Sequence, residues 1–202
     1  MTQLLDLSDL QRDALREVAN IGAGHAATAL SQMLNTTVRI GAPTIEILKF
    51  ENLAERLGYG DTPVAAVHMS VLGDAPGQML VIFNRSQALG FADAFLKRIV
   101  GNIQLFDSIV DSTLREIGNI IGGAYLTALM TLTGTNLLPS VPTLSTGTVG
   151  ATVAKLTSIS GDADVFFIET GFNENDAVVA GQFILIPGEG SLQPLFAAFG
   201  LE

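Results

Sequence analysis

The chain has 202 residues, with 20 Asp plus Glu against 10 Lys plus Arg, a formal net charge of -10, two His, and neither Cys nor Trp. That balance argues against nucleic acid or an anionic membrane as ligand, since both need clustered cations to neutralise phosphates. It also excludes a disulfide framework, thiol catalysis and any Cys-ligated or multi-histidine metal site.

A composition 48% apolar and 15% charged offers ample surface for burial and argues against disorder, and the length predicts one domain or two small ones. Met1 to Asp13 carries neither a basic leader nor a long apolar run, so it does not read as a signal peptide. With no cysteines to keep reduced or oxidised, a cytoplasmic protein is expected. The first helix is predicted to start after Ser8, an N-cap with Gln11 three residues on as its capping-box partner. Leu10, Ala14, Leu15, Val18 and Ile21 recur at three and four, the period of a helix with one buried face. A strand and a short helix or loop follow. Thr62 to Leu72 and Gly77 to Phe83 read as strands around the turn residues Gly73 to Gly77, hence an antiparallel hairpin. A helix is predicted from Ser86 to Ile99.

The second half opens with Asp107 or Ser108 as cap of a helix entering at Ile109. Val110, Leu114, Ile117, Ile120 and Ile121 continue its apolar face. Ile117 to Ala154 carries no formal charge, and its apolar part from Ile120 to Leu138 approaches the roughly 20 residues of a membrane span. Asn119, Asn136 and the interspersed Gly and Thr favour a buried helix followed by a strand. Ala163 to Phe172 and Ala180 to Ile186 form a second predicted hairpin around Asn173 to Asp176. A last helix, Ser191 to Phe199, holds Pro194, which only a first turn tolerates.

The two halves are copies. With an offset of 99 residues, identities fall at Leu15/Leu114, Arg16/Arg115, Glu17/Glu116, Asn20/Asn119, Ile21/Ile120, Gly24/Gly123, Thr28/Thr127, Ala29/Ala128, Leu30/Leu129 and, without a gap, Pro43/Pro142. Such self-similarity predicts one supersecondary unit used twice. The expected fold is α+β: a single domain over 1–202 with repeat halves at about 8–100 and 107–202, pseudo-two-fold, its largely antiparallel sheet covered by the long helices. No exposed apolar stripe is evident, so a monomer is expected.

Most repeated residues are predicted core. Gly24 and Gly123 each cost a helix interior about 1 kcal/mol against Ala, so close backbone packing is expected of both. Thr28 and Thr127 are expected to bond back to the helix. Tyr125, in place of Ala26, reads as packing, His68 as structural, and His25 as packed or solvent-facing. Glu17/Asn20 and Glu116/Asn119 resist such an account. Glu at i and Asn at i+3 share a helix face, yet Asn is a mediocre helix former, and both copies carry it, with Asp13 or Ser112 four residues before the Glu. An Asn amide has no useful pKa but can orient a water, and a Glu can pair with a partner's Lys. No nucleophile–base dyad accompanies them, and Ile21 to Gly24 lacks the Lys-Ser/Thr of a phosphate-binding loop. This apparatus makes sense if a second protein supplies the metal and the labile bond.

The spacing Asp/Ser-x-x-x-Glu-x-x-Asn, then 22 residues, then Pro, resembles the signature of the CheC/CheX/FliY phosphatases of bacterial and archaeal chemotaxis. Asp13, Glu17, Asn20 and Pro43 form one copy; Ser112, Glu116, Asn119 and Pro142 form the other. Two complete copies in a chain of this length resemble the two-site CheC type. The resemblance implies hydrolysis of the aspartyl phosphate of a phosphorylated CheY-type response regulator. Asn20 and Asn119 are then expected to align the attacking water, and Glu17 and Glu116 to engage the regulator's active-site Lys. Asp13 and Ser112 are expected to support the sites, and Pro43 and Pro142 to shape the segment after each helix. The resemblance implies no metal or cofactor of the chain's own, the Mg²⁺ belonging to the regulator, and suggests the receptor deamidase CheD as a second partner. The alternative it leaves open is a non-catalytic adaptor that binds CheD or the phosphorylated regulator.

Overall fold

A computed structural model of the chain describes residues 7–58, 60–96, 107–160, 163–174 and 177–201. Helix α1, Asp9–Leu34, starts at the Ser8/Gln11 capping box and ends on Asn35 in the left-handed conformation. Helix α4, Ser108–Thr133, starts on Asp107, whose carboxylate accepts from the Ile109 and Val110 amides, and ends on left-handed Gly134. Start, length and terminator all recur at the repeat offset. Each helix is about 39 Å long at 1.5 Å per residue.

Each long helix is followed by a broken strand: β1 Val38–Ile40 and β2 Thr44–Lys49 in the first half, β5 Leu137–Pro139 and β6 Thr143–Thr148 in the second. A 3₁₀ turn at Phe50–Asn52 leads into the short helix α2, Leu53–Arg56; its counterpart is α5, Val149–Ser160. The hairpins β3 Pro63–Gly73 with β4 Gly77–Asn84, and β7 Asp164–Glu174 with β8 Ala177–Pro187, close the halves together with α3 Arg85–Phe95 and α6 Leu192–Ala198. Pro194 stands in the first turn of α6, where its missing N–H removes no helical bond. The strands of the second hairpin run further into the expected turn than its residue types suggest. The expected end of α3 at Ile99 lies outside the described residues.

Among the described residues all strand pairs are antiparallel and eight strands form one sheet, ordered β1-β7-β8-β4-β3-β5, with β2 also on β7 and β6 also on β3. The edge strands are exchanged: β1 and β2 of the first half pair with the second hairpin, and β5 and β6 pair with the first. Val81 and Phe183 are cross-strand partners, opposite Val67 and Ile168 in their own hairpins. The pseudo-two-fold axis therefore passes between them. Two ion pairs tie the exchange down, Lys49–Asp164 at 2.6 Å and Arg56–Glu169 at 3.1 Å, while Arg56 also holds Glu46 of its own half at 2.8 Å.

Each sheet face covers a core, as the period of two requires. Val64, Ala66, Leu80, Ile82, Val165, Phe167, Ile184 and Ile186 face Phe50, Leu53, Val149 and Val153 of the short helical segments. Ala65, Val67, Met69, Met79, Val81, Phe83, Phe166, Ile168 and Phe183 face the other helices, α1 and α4 among them. The uncharged stretch from Ile117 thus resolves into the rest of α4, β5, β6 and the first turns of α5, and no helix among the described residues is long and apolar enough to cross a membrane.

Three glycines let the long helices settle. A Cβ at Gly22 of α1 would stand 2.5 Å from the Tyr125 ring of α4, one at Gly118 2.5 Å from Val67, and one at Gly122 2.8 Å from the Met69 methyl. Tyr125 is the wedge of this layer. Its ring stacks on Phe183 with centroids 4.2 Å apart, and its hydroxyl lies 3.2 Å from the buried Thr170 hydroxyl. Burial pushes its pKa from 10.0 to about 12, against a smaller downward pull from Thr170. The unfolded chain therefore loses this proton first, so the contribution is intact below pH 10 and is lost as pH rises through 12. Unfolding midpoints of wild type and Tyr125→Phe are expected to diverge over that window, wild type losing up to about 3 kcal/mol more. Parallel curves would show that the phenol is not desolvated.

Candidate functional site

Helical geometry dictates where the repeated polar residues go. The buried residues of α1 are Leu15, Val18, Ala19, Gly22, Ala23, Ala26, Leu30 and Leu34. Asp13, Glu17, Asn20, Gly24 and Thr28, spaced by three and four, form the stripe on the opposite side. On α4 the same stripe is Ser112, Glu116, Asn119, Gly123 and Thr127. Because both helices cover one face of the sheet, both stripes look outward on the same side of the molecule. Glu17, Asn20 and Glu116 are exposed and Asn119 is half-buried.

The neighbouring charges are paired off. Asp13 binds Arg16 at 2.6 Å across one turn. In the second copy Ser112 instead donates to the Ser108 carbonyl at 2.9 Å. The acidic role moves back one residue to Asp111, which holds Arg115 at 2.7 Å. Asp111, not Ser112, is thus the counterpart of Asp13 as the partner of the repeated Arg. Arg115 also donates to the Pro142 carbonyl at 3.5 Å, tying the α4 site to the break between β5 and β6. By contrast, among the described residues no hydrogen bond or ion pair engages the side chains of Glu17, Asn20, Glu116 or Asn119.

The prolines mark where the edge strands step off the sheet. Gly41 donates to the Gly171 carbonyl at 3.1 Å and Ser140 to the Ser70 carbonyl at 2.8 Å, at equivalent positions. Two residues later Pro43 and Pro142 offer no N–H, and pairing resumes at Thr44 and Thr143. An edge strand tolerates this. His68 lies on β3 with its Nε2 2.7 Å from Gln78 Oε1, and His25 is exposed.

Two expectations need correction. Gly24 and Gly123 do not serve close packing: a Cβ at either would meet nothing within 4 Å. The packing glycines are Gly22, set against Tyr125 of α4, and Gly118 and Gly122, set against Val67, Met69 and Met79 of the sheet; the repeat shares none of them. Leu10 and Ile109, expected in the buried stripes, are 67% and 49% exposed. They stand one and two turns before Asp13/Ser112 and Glu17/Glu116 on the outward side, which the three-and-four count alone does not separate from the inward one. The expected back-bonds are present, Thr28 to the Gly24 carbonyl at 3.0 Å and Thr127 to the Gly123 carbonyl at 2.7 Å.

The two stripes coincide with a known family pattern. The CheC-like family matches residues 10–47 and again 109–146, each match running from the start of a long helix to its broken strand. Over 204 residues the chain is 33% identical to the Bacillus subtilis protein named CheY-P phosphatase CheC, covering 96% of each. The chain belongs to the CheC-like family. Its fold is also that of Thermotoga maritima FliY, at a TM-score of 0.79, 19% identity, and coverage of 96% of this chain and 98% of that one. A chain of the CheX-CheY-BeF3-Mg²⁺ complex from Borrelia burgdorferi matches at a TM-score of 0.54, 18% identity, and coverage of 83% and 96%.

Proposed function

We propose that the chain hydrolyses the aspartyl phosphate of a phosphorylated CheY-type response regulator, using both stripes as equivalent sites. The observation that carries this reading is the combination on each helix of an outward Glu and Asn with no side-chain partner among the described residues, beside the ion pairs Asp13–Arg16 and Asp111–Arg115. Three exposed side chains and the half-buried Asn119, none engaged by a described residue, are available to a partner. The relative named CheY-P phosphatase CheC and the fold shared with a chain of a CheX-CheY complex support the choice of partner.

Asn20 and Asn119 accept from and donate to a water, holding it in line with phosphorus. The water oxygen bonds to phosphorus as the bond from phosphorus to the aspartyl oxygen breaks, releasing inorganic phosphate and the free carboxylate. The water proton passes to phosphate or solvent. Positioning of this kind is the strategy of water-orienting residues in other phosphoryl hydrolases. Glu17 and Glu116 pair with the regulator's active-site Lys and set the docking angle. The Mg²⁺ belongs to the phosphorylated substrate. Arg16 and Arg115 neutralise Asp13 and Asp111, so the stripe meets an acidic active site with fewer open negative charges.

The test is phosphate release from a phosphorylated CheY-type regulator with and without the chain. Acceleration that saturates with regulator concentration is expected. Tight binding without acceleration would replace this reading with a non-catalytic adaptor for the regulator or for CheD.

A further inference from the structure

Gly24 and Gly123 stand in helix interiors, one turn beyond Asn20 and Asn119, on the same outward stripe. Glycine is the poorest non-proline helix former. At Gly22, Gly118 and Gly122 that cost has a visible return in packing. At Gly24 and Gly123 there is none, since beyond the helix's own neighbouring backbone a Cβ would meet no described atom within 4 Å. The glycine carbonyls are already occupied by Thr28 and Thr127, so the missing side chain does not open the main chain for hydrogen bonding. Both helices thus carry an unexplained local weakness at one fixed distance from the Asn.

The direction of helical side chains gives it a purpose. Every Cα–Cβ bond leans toward the helix N-terminus, so a residue covers the surface over the turn before its own Cα. Any side chain at 24 or 123 leans over Asn20 or Asn119. Asn is also short, so its amide reaches into a partner only if the helix backbone itself comes close. The same stripe exposes a large apolar side chain near its start in each copy, Leu10 and Ile109, a composition suited to contact rather than solvent.

We infer that Gly24 and Gly123 are clearance positions: they keep the helix surface bare beside each Asn so that the main chain around the regulator's acyl phosphate can seat against it. This rests on the phosphatase reading and adds two positioning residues to it, neither of which touches the reacting atoms.

The test isolates one site by placing Gly24→Ala and Gly24→Leu in an Asn119→Ala background. Gly24→Ala is expected to raise the thermal midpoint, because Ala is the better helix former and nothing obstructs it, while raising KM for the phosphorylated regulator. Gly24→Leu is expected to raise KM further, by about tenfold or more, as an overpacked contact does. Stability and affinity moving in opposite directions is a signature that a merely structural glycine does not give. If both variants keep the parent KM while the parent still accelerates phosphate release, the inference is wrong and the phosphatase reading stands. If the wild-type chain itself gives no acceleration, the reading falls and takes the inference with it.

Discussion

Asn20→Ala with Asn119→Ala in one chain is expected to reduce the proposed acceleration of phosphate release by roughly a hundredfold or more and to leave the fold unchanged. The size follows from the chemistry of the step. An oriented water converts a bimolecular encounter into a positioned one, and displacing it by about 1 Å costs on the order of a hundredfold. The fold is expected to survive because neither side-chain amide bonds to any of the described residues and Ala is the better helix former. Each single variant is expected to retain activity through the other stripe. The two stripes are not identical, however. Asn20 is exposed and Asn119 is half-buried, and only the α4 stripe is tethered through Arg115 to the Pro142 carbonyl. If Asn20→Ala alone removes all acceleration, the α4 copy is a docking surface; if the double variant still accelerates, water positioning by Asn is refuted.

Tyr125→Ala lowers stability by about 3–5 kcal/mol, the range for emptying a buried aromatic site, measured as a shift in the denaturant midpoint at unchanged slope. The ring fills the space that Gly22 leaves and stacks on Phe183 at 4.2 Å. Removing it also strands the Thr170 hydroxyl in the core, which adds the cost of an unsatisfied buried group. Against a typical domain stability of about 5–15 kcal/mol this leaves a marginal protein. Tyr125→Phe keeps the stack and loses only the hydroxyl bond, so it separates the two contributions. A loss below about 1 kcal/mol for Tyr125→Ala is incompatible with a wedge that holds α1 on α4.

Much is legible locally. The Ser8/Gln11 cap, Asp107 as one of two candidate caps, the presence of the two long helices, the hairpins and the phase of Glu17/Asn20 and Glu116/Asn119 all follow from spacing over a few residues. Capping, amphipathic period and turn chemistry act over that range. The duplication predicts the pseudo-two-fold arrangement, and the motif points to the family. What spacing does not separate is one outward residue from one inward residue near a helix start. Leu10 and Ile109 fit the apolar count and face solvent, because burial there depends on what packs above the helix.

The remaining features were decided by tertiary structure. Two copies of one pattern satisfy the same hydrophobic periodicity whether β1 and β2 pair with their own hairpin or with the other; the sequence is silent between these, and the sheet exchanges them. Which glycines the packing needs is likewise a tertiary outcome. The α1–α4 crossing falls at Gly22 and Tyr125, a contact between unlike positions of the two copies, while the repeated Gly24 and Gly123 are left open on the outer surface. The sequence by itself therefore determined the elements, their faces and the chemistry displayed on them, since these are local. Strand exchange, the buried crossing and the bareness beside each Asn came only from tertiary structure, because each depends on atoms distant in the chain.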